Sequence, residues 1–113
     1  MLKITISGAP GSGTSTLVGK IKQSTGWSSL NGGEVFRSEA KRRGLSVVEF
    51  SELCKKDLDV DRSLDRLLKD SMNDKAGPEI IESRLAGWWA KQLGIECLRV
   101  WISTSDEERA RRV

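Results

Sequence analysis

The residues best suited to chemistry form a glycine-rich segment near the N-terminus, Gly8-Ala9-Pro10-Gly11-Ser12-Gly13-Thr14-Ser15. A short apolar run precedes this segment and a helical pattern follows it, which is the order strand, turn, helix. Glycines let successive backbone N–H groups converge on one point, and the helix adds its positive N-terminal end. The segment therefore predicts a binding site for a polyphosphate.

The spacing follows the phosphate-loop pattern G-x-x-x-x-G-K-[ST], except that Thr14 stands where the pattern has lysine. Ser15 occupies the position of the hydroxyl that binds Mg²⁺. An ordinary glycine-rich turn is the alternative, and the missing lysine makes that alternative more credible. We favour phosphate binding because the segment directly follows the first predicted strand and precedes an apolar-periodic helix.

Charged residues further along the chain are candidate partners of this loop. Glu82 ends a buried strand, where its carboxylate could face the loop and hold Mg²⁺, directly or through water; pairing with Arg84 is the alternative. Arg37 and Arg84 could clamp one phosphoryl group, because the arginine fork matches a phosphate dianion. A helix arginine such as Arg37 can equally lie along the protein surface.

Asp61 and Asp65 lie one turn apart on a predicted helix, so they share one face. They are either part of a charged surface or the wall of a pocket that hydrogen-bonds a base or an arginine. The residues alone do not decide between these two interpretations.

The predicted elements alternate between strand and helix. Strands are predicted at 2–7, 79–82 and 97–102, with a candidate strand at 27–30 and a turn at 31–33, and helices at 13–24, 34–43, 46–56, 57–72 and 85–93. A capping box at 105–108 opens one more helix. This alternation predicts an α/β fold, with a mostly parallel sheet flanked by helices. The three helices within about 34–73 predict an inserted helical region over the carboxyl edge of the sheet, where ligands bind.

The 113 residues suffice for one domain, and the net charge is +3. Residues 1–56 hold nine Lys and Arg against four Asp and Glu, whereas residues 57–113 hold ten against twelve, so the basic half suits an anionic ligand. Aromatic residues do not interleave with basic ones, which argues against a nucleic-acid polymer.

Cys54 and Cys97 lie far apart and histidine is absent, so we expect no zinc site, and free thiols in a reducing compartment. No signal peptide pattern and no apolar run of membrane-spanning length is present. We therefore expect a cytoplasmic protein without a membrane partner.

Together the segments resemble the archaeal-type cytidylate kinases, which belong to the P-loop nucleoside monophosphate kinases. The matching segments follow the family's order and cover nearly the whole chain. They are Ile4–Thr16, Gly32–Arg37, Val48–Ser51, Asp61–Asp65 and Glu82–Trp88.

The resemblance implies a P-loop kinase that transfers the γ-phosphoryl group of ATP to CMP or dCMP with Mg²⁺, and it implies that threonine is tolerated at position 14. The residues that would bind the ATP phosphates are Gly8, Ala9, Pro10, Gly11, Ser12, Gly13, Thr14, Ser15 and Thr16. Those implied at the monophosphate site are Gly33, Phe36, Arg37, Asp61, Asp65 and Arg84. Arg37, Glu82 and Arg84 are the implied catalytic residues, and Ser15 and Glu82 the implied metal ligands.

Two departures accompany the resemblance. Ser83 stands where the family often has glycine. The family also continues beyond Val113 into an arginine-bearing lid and a last strand, so we expect an N-terminal portion of a protein that is a monomer when complete. Arg109, Arg111 and Arg112 would begin the lid-side arginines. Two alternatives stay open: a nucleotide-binding fragment or pseudoenzyme without turnover, and an adenylate-type kinase.

Overall fold

The computed structural model describes residues 1–9 and 13–103. Strands and helices alternate in this part of the chain, except for three successive helices between the second and third strands. The elements are β1 Ile4–Gly8, α1 Thr14–Thr25, β2 Ser29–Asn31, α2 Gly32–Arg42, α3 Val47–Lys56, α4 Leu58–Asn73, β3 Ile80–Glu82, α5 Ala86–Gln92 and β4 Leu98–Ile102.

The strands form one parallel sheet in the order β2-β3-β1-β4, which confirms the predicted α/β class. β1 lies inside the sheet, with Ile6 opposite Glu82 of β3 on one side and Val100 of β4 on the other. Because all strands run the same way, their carboxyl ends meet at one edge. The segments that follow β1, β2 and β3 are therefore neighbours there.

Both faces of β1 and β3 are covered, as their continuous apolar runs predict, whereas the edge strand β4 keeps Leu98 and Trp101 exposed. Neighbouring residues of β3 point to opposite faces, so Ile80 packs with Val18 of α1 while Ile81 packs with Trp89 of α5. Trp89 is 5% exposed, whereas its neighbour Trp88 is 60% exposed. The Trp88-Trp89 pair is thus divided between the core and the surface.

The helices α2, α3 and α4 share a small apolar core of their own around Ala40, Phe50 and Cys54. The helix predicted from Ser46 starts with a capping box: Ser46 Oγ accepts from the Glu49 N–H at 3.1 Å, and the Ser46 N–H donates to Glu49 Oε1 at 3.0 Å. This box satisfies two backbone donors at the start of α3.

The carboxylate of Glu39 is buried near the C-terminal end of α2. Glu39 accepts from Arg42 Nε at 3.0 Å and from Arg43 Nε at 3.1 Å. The hydrogen bonds from Arg42 lower the pKa of Glu39 to about 2, against the effect of burial, and Arg43 adds to them. Arg43 also lies over the ring of Phe50, 5.7 Å from its centroid, so this cluster joins α2 to α3.

The predicted turn at 31–33 is wrong, because β2 reaches Asn31 and α2 begins at Gly32. Asn31 Oδ1 accepts from the Glu34 N–H at 2.8 Å, and Asn31 Nδ2 donates to Glu34 Oε1 at 2.9 Å. This N-cap satisfies one backbone donor of the first turn and so supports a helix that starts on two glycines. The strand therefore passes into the helix without a loop.

Within the described residues, no helix combines the length and apolar character needed to cross a membrane. The capping box predicted at 105–108 lies outside the part of the chain that the structure describes, as do Arg109, Arg111 and Arg112.

Candidate functional site

A cleft of about 400 Å³ opens at the carboxyl edge of the sheet. Its walls come from the ends of β1, β2 and β3, from the start of α1 and from the first turns of α2. The lining residues are Ile6, Gly8, Thr14, Ser15, Asn31, Gly32, Gly33, Arg37, Glu82, Ser83 and Arg84. Three consecutive parallel strands of the sheet thus contribute to a single site.

The β1 side of the cleft carries the start of α1. Gly13 precedes α1 with φ 93° and ψ 15°, a left-handed conformation that suits glycine. No side chain caps this helix end and its first turn holds no acidic residue, so α1 itself supplies no counter-charge to its positive end. Thr14 and Ser15 line the cleft beside it, and such a helix start can bind an anion.

The hydroxyl of Ser15 and the carboxylate of Glu82 meet across this end of the cleft, where Ser15 Oγ donates to Glu82 Oε1 at 3.2 Å. The described residues hold no cluster of three or more metal-ligating His, Cys, Asp or Glu side chains. Mg²⁺ commonly binds through one or two protein oxygens and otherwise through water and substrate phosphates. The Ser15–Glu82 pair therefore fits Mg²⁺ bound together with a polyphosphate.

The α2 side of the cleft carries Arg37. A Cβ built on Gly33 would lie 3.1 Å from Arg37 Nη1 and 3.3 Å from Asn31 Oδ1. The guanidinium group therefore lies close over Gly33, at the N-terminal end of α2. Glycine at position 33 provides the room that this arrangement needs.

The segment after β3 forms the floor between the two sides. The Ser83 N–H donates to the Ile6 carbonyl at 3.2 Å, which keeps this segment against β1. Arg84 is exposed and lines the cleft, and it also lines a second, apolar cavity of about 640 Å³ between α5 and β4. Trp88 and Trp101 are among the walls of that second cavity.

The structure brings together most, but not all, of the residues that the sequence singled out. Phe36 packs on Phe50, with 4.9 Å between the ring centroids, and Asp61 and Asp65 are exposed on α4; none of the three is a lining residue. Ala9, Gly13 and Thr16 also do not line the cleft. Pro10, Gly11 and Ser12 lie outside the described residues.

Sequence reasoning did not single out Asn31, Gly32 or Ser83 as site residues. The pattern of Asn31 followed three residues later by Glu34 is an N-terminal helix signature, and it could have placed the start of α2 at the edge of the cleft. No comparable local signal marks Ser83.

The parallel sheet, with a glycine-rich segment between β1 and α1, places the chain in the α/β class of P-loop proteins. Residues 7–108 match the family described as "AAA domain", and the chain belongs to this family.

Curated relatives carry the name cytidylate kinase. The chain is similar to the cytidylate kinase of Archaeoglobus fulgidus. The identity is 38% over 112 residues, which is 99% of this chain and 60% of the relative. It is 36% identical to that of Halobacterium salinarum over 97% of this chain and 56% of the relative. It is 38% identical to the cytidylate kinase of Pyrococcus horikoshii over 99% of this chain and 56% of the relative. The chain thus spans little more than half the length of these relatives.

Proposed function

We propose that this chain belongs to a cytidylate kinase and holds the sites at which the γ-phosphoryl group of ATP passes to CMP or dCMP. The observation that carries the proposal is the contact of 3.2 Å between Ser15 Oγ and Glu82 Oε1, in the same cleft as Arg37 and Arg84. One end of this cleft suits a metal-bound polyphosphate and its other wall presents a cation for a second phosphate. The relatives named cytidylate kinase support this choice of acceptor.

ATP binds with its phosphates at the start of α1. Backbone N–H groups of the segment from Gly8 to Thr16, in which only Pro10 lacks one, would donate to these phosphates, and the helix end adds its positive potential. Ser15 and Glu82 are the residues that would hold Mg²⁺ together with these phosphates. When bound, Mg²⁺ neutralises negative charge on the transferred group.

CMP binds on the α2 side of the cleft. Arg37 donates to the phosphate of CMP from its place over Gly33, and Phe36, Asp61 and Asp65 complete this side when the three helices close on the nucleotide. Closure is needed because these three residues do not line the cleft in the structure. Movement of helical segments over a bound substrate is common in phosphotransferases and also excludes water.

The reaction is an in-line transfer in which an oxygen of the CMP phosphate attacks the γ-phosphorus and ADP leaves. The protein forms no covalent intermediate, so its contribution is to align the two nucleotides and to offset the charge spread over the transferred group. Arg37 and Arg84 make that second contribution through charge-assisted hydrogen bonds.

A coupled assay for ADP formation with CMP, dCMP, UMP and AMP tests this proposal. We expect turnover with CMP and dCMP above that with UMP and AMP. A preference for AMP would replace the proposal with an adenylate-type kinase. ATP binding by calorimetry without turnover on any acceptor would instead identify a nucleotide-binding module. Absence of ATP binding would overturn both.

The remaining parts of the proposal concern the complete protein. We propose that it acts as a cytoplasmic monomer on free nucleotides and not on a nucleic-acid polymer. The cleft volume of about 400 Å³ lies in the range of small-molecule sites, which supports free nucleotides as ligands. Light scattering of the complete protein and competition of ATP binding by single-stranded RNA test these two points.

A further inference from the structure

The phosphate loop of this chain lacks the cation that its pattern normally provides, because Thr14 replaces the lysine that reaches the β- and γ-phosphates. The cleft nevertheless has to hold a highly charged polyphosphate. Among its described lining residues, the only cationic side chains are those of Arg37 and Arg84, and none is a lysine. Any compensating charge on these walls must come from one of the two arginines.

The sheet order distinguishes the two arginines. Arg84 follows β3, which pairs directly with β1, the strand that leads into the phosphate loop. Arg37 lies on α2, which follows β2, and β2 is one strand further from β1. Neighbouring strands are about 4.8 Å apart. The strand that leads to Arg84 is therefore about one strand spacing nearer to β1 than the strand that leads to Arg37.

Two contacts hold the segment that carries Arg84 against the loop side. Ser15 Oγ donates to Glu82 Oε1 at 3.2 Å, and the Ser83 N–H donates to the Ile6 carbonyl at 3.2 Å. These contacts join α1 and β1 to the two residues that precede Arg84. A long side chain at position 84 thus begins next to the wall that holds Thr14 and Ser15.

The guanidinium of Arg84 is also available to contact a bound phosphate. It is exposed and has no ion pair with any of the residues that the structure describes. It lines both the cleft and the neighbouring cavity, which Ser7 of β1 shares, so it lies beside the end of β1. Arg37 is likewise exposed and has no ion pair with a described residue, but it lies over Gly33 at the opposite wall of the cleft.

We propose that Arg84 supplies to the β- and γ-phosphates of ATP the positive charge that the loop lysine supplies in other P-loop proteins. The inference rests on the proposed function, since it needs ATP to be the donor. A guanidinium suits this role because its fork can bind two phosphate oxygens at once. From this position the same group can still contact the CMP phosphate during transfer.

A double-mutant cycle between positions 14 and 84 tests the inference. The affinity for a non-hydrolysable ATP analogue with Mg²⁺, in the absence of CMP, is measured for the wild type, Arg84→Ala, Thr14→Lys and the double variant. We expect Arg84→Ala to weaken binding by about tenfold or more. Thr14→Lys should recover most of that loss in the Arg84→Ala background and should change the wild type much less.

Two further variants serve as controls. Thr14→Lys should not repair the weaker CMP binding of Arg37→Ala, because that loss is on the acceptor side. Lys91→Ala removes a cation that lines only cavities outside the cleft and should leave analogue affinity within about twofold, since exposed charges are screened by solvent.

The outcomes separate the inference from the proposed function. If Thr14→Lys changes analogue affinity by the same factor with Arg84 and with alanine at position 84, the two positions act independently and the inference is wrong, while ATP binding still stands. If the wild type does not bind the analogue, the proposed function is wrong, and the inference, which depends on it, is wrong as well. Circular dichroism of each variant verifies that the fold is retained.

Discussion

Ser15 and Glu82 are 67 residues apart in the sequence, yet Ser15 Oγ donates a hydrogen bond to Glu82 Oε1 at 3.2 Å. The contact joins the first turn of α1 to the end of β3, and it lies at the edge of the cleft where the helix end is positive. A hydroxyl and a carboxylate at this distance present two hard oxygen ligands on one side of a phosphate site.

The first prediction concerns Mg²⁺. Glu82→Gln keeps the shape of the side chain but removes its charge, and Ser15→Ala removes the hydroxyl. Each variant should raise the Mg²⁺ concentration needed for half-maximal ATP binding by about 10- to 100-fold, as the loss of groups that hold or orient a metal typically does. The exposed Glu52→Gln on α3 is the control. Unchanged Mg²⁺ dependence in both variants would place the metal elsewhere.

A second prediction concerns Gly33. In Gly33→Ala, the added Cβ would meet Arg37 Nη1 at 3.1 Å, so the guanidinium must shift. CMP binding should weaken by about tenfold, because small misplacements of a positioning group are costly, while ATP affinity stays unchanged. Gly19→Ala is the matched control, since its Cβ would meet nothing within 4 Å. That change within α1 should raise the free energy of unfolding by about 0.5–1 kcal/mol.

A third prediction separates the two nucleotides. Arg37→Ala should weaken CMP binding by about 1.5–3 kcal/mol, the usual value of hydrogen bonds to a charged group, and should weaken ATP binding much less. Arg37→Lys should recover only part of the loss, because an ammonium group lacks the fork. Lys41→Ala on the same helix is the control. Calorimetry with each nucleotide measures the difference, and equal losses for both would assign Arg37 to the fold and not to the acceptor.

The fourth prediction uses backbone conformation. Gly13 has φ 93°, so Gly13→Val introduces a β-branched residue into a left-handed conformation at the start of α1 and should abolish ATP binding. Gly26 ends the same helix with φ 74°. Gly26→Val should cost comparable stability and yet leave ATP affinity unchanged. The ATP affinity of both folded variants distinguishes a loss of the phosphate site from a general effect of backbone strain. A loss of ATP binding in both variants would show that strain alone is responsible.

The fifth prediction concerns pH and stability. Hydrogen bonds from Arg42 lower the pKa of Glu39 from 4.5 to about 2, so the ionised carboxylate stabilises the folded state above pH 4.5, and the stabilisation is lost as the pH falls towards 2. Glu39→Gln should reduce the free energy of unfolding by about 1 kcal/mol at pH 7, a value discounted because the Arg42 side chain is 67% exposed. Urea unfolding should show this difference narrowing between pH 4.5 and pH 2. A difference independent of pH would mean that packing and not charge is the cause.

Local sequence patterns predicted the elements well. The helix starts at Ser46 and Asp57 agree with the structure because capping depends on neighbours three or four residues away, which the sequence displays directly. The start of α2 was predicted two residues late, because the glycines suggested a turn while the Asn31 cap, with its bonds to Glu34, allowed a helix. The pattern also predicted parallel strands, since continuous β-branched runs such as Ile4-Thr5-Ile6 suit burial on both faces, and all three residues are buried.

The sequence alone determined that a phosphate loop follows β1, that Thr14 occupies the lysine position, and that an acidic residue ends β3. The tertiary structure decided which of these groups meet. Strand order depends on packing between distant segments, so only the fold shows that β3 lies between β2 and β1 and that Glu82 therefore reaches Ser15. For the same reason, only the fold shows Phe36 on Phe50 and Asp61 exposed, because the sequence defines a helical face without saying what that face meets.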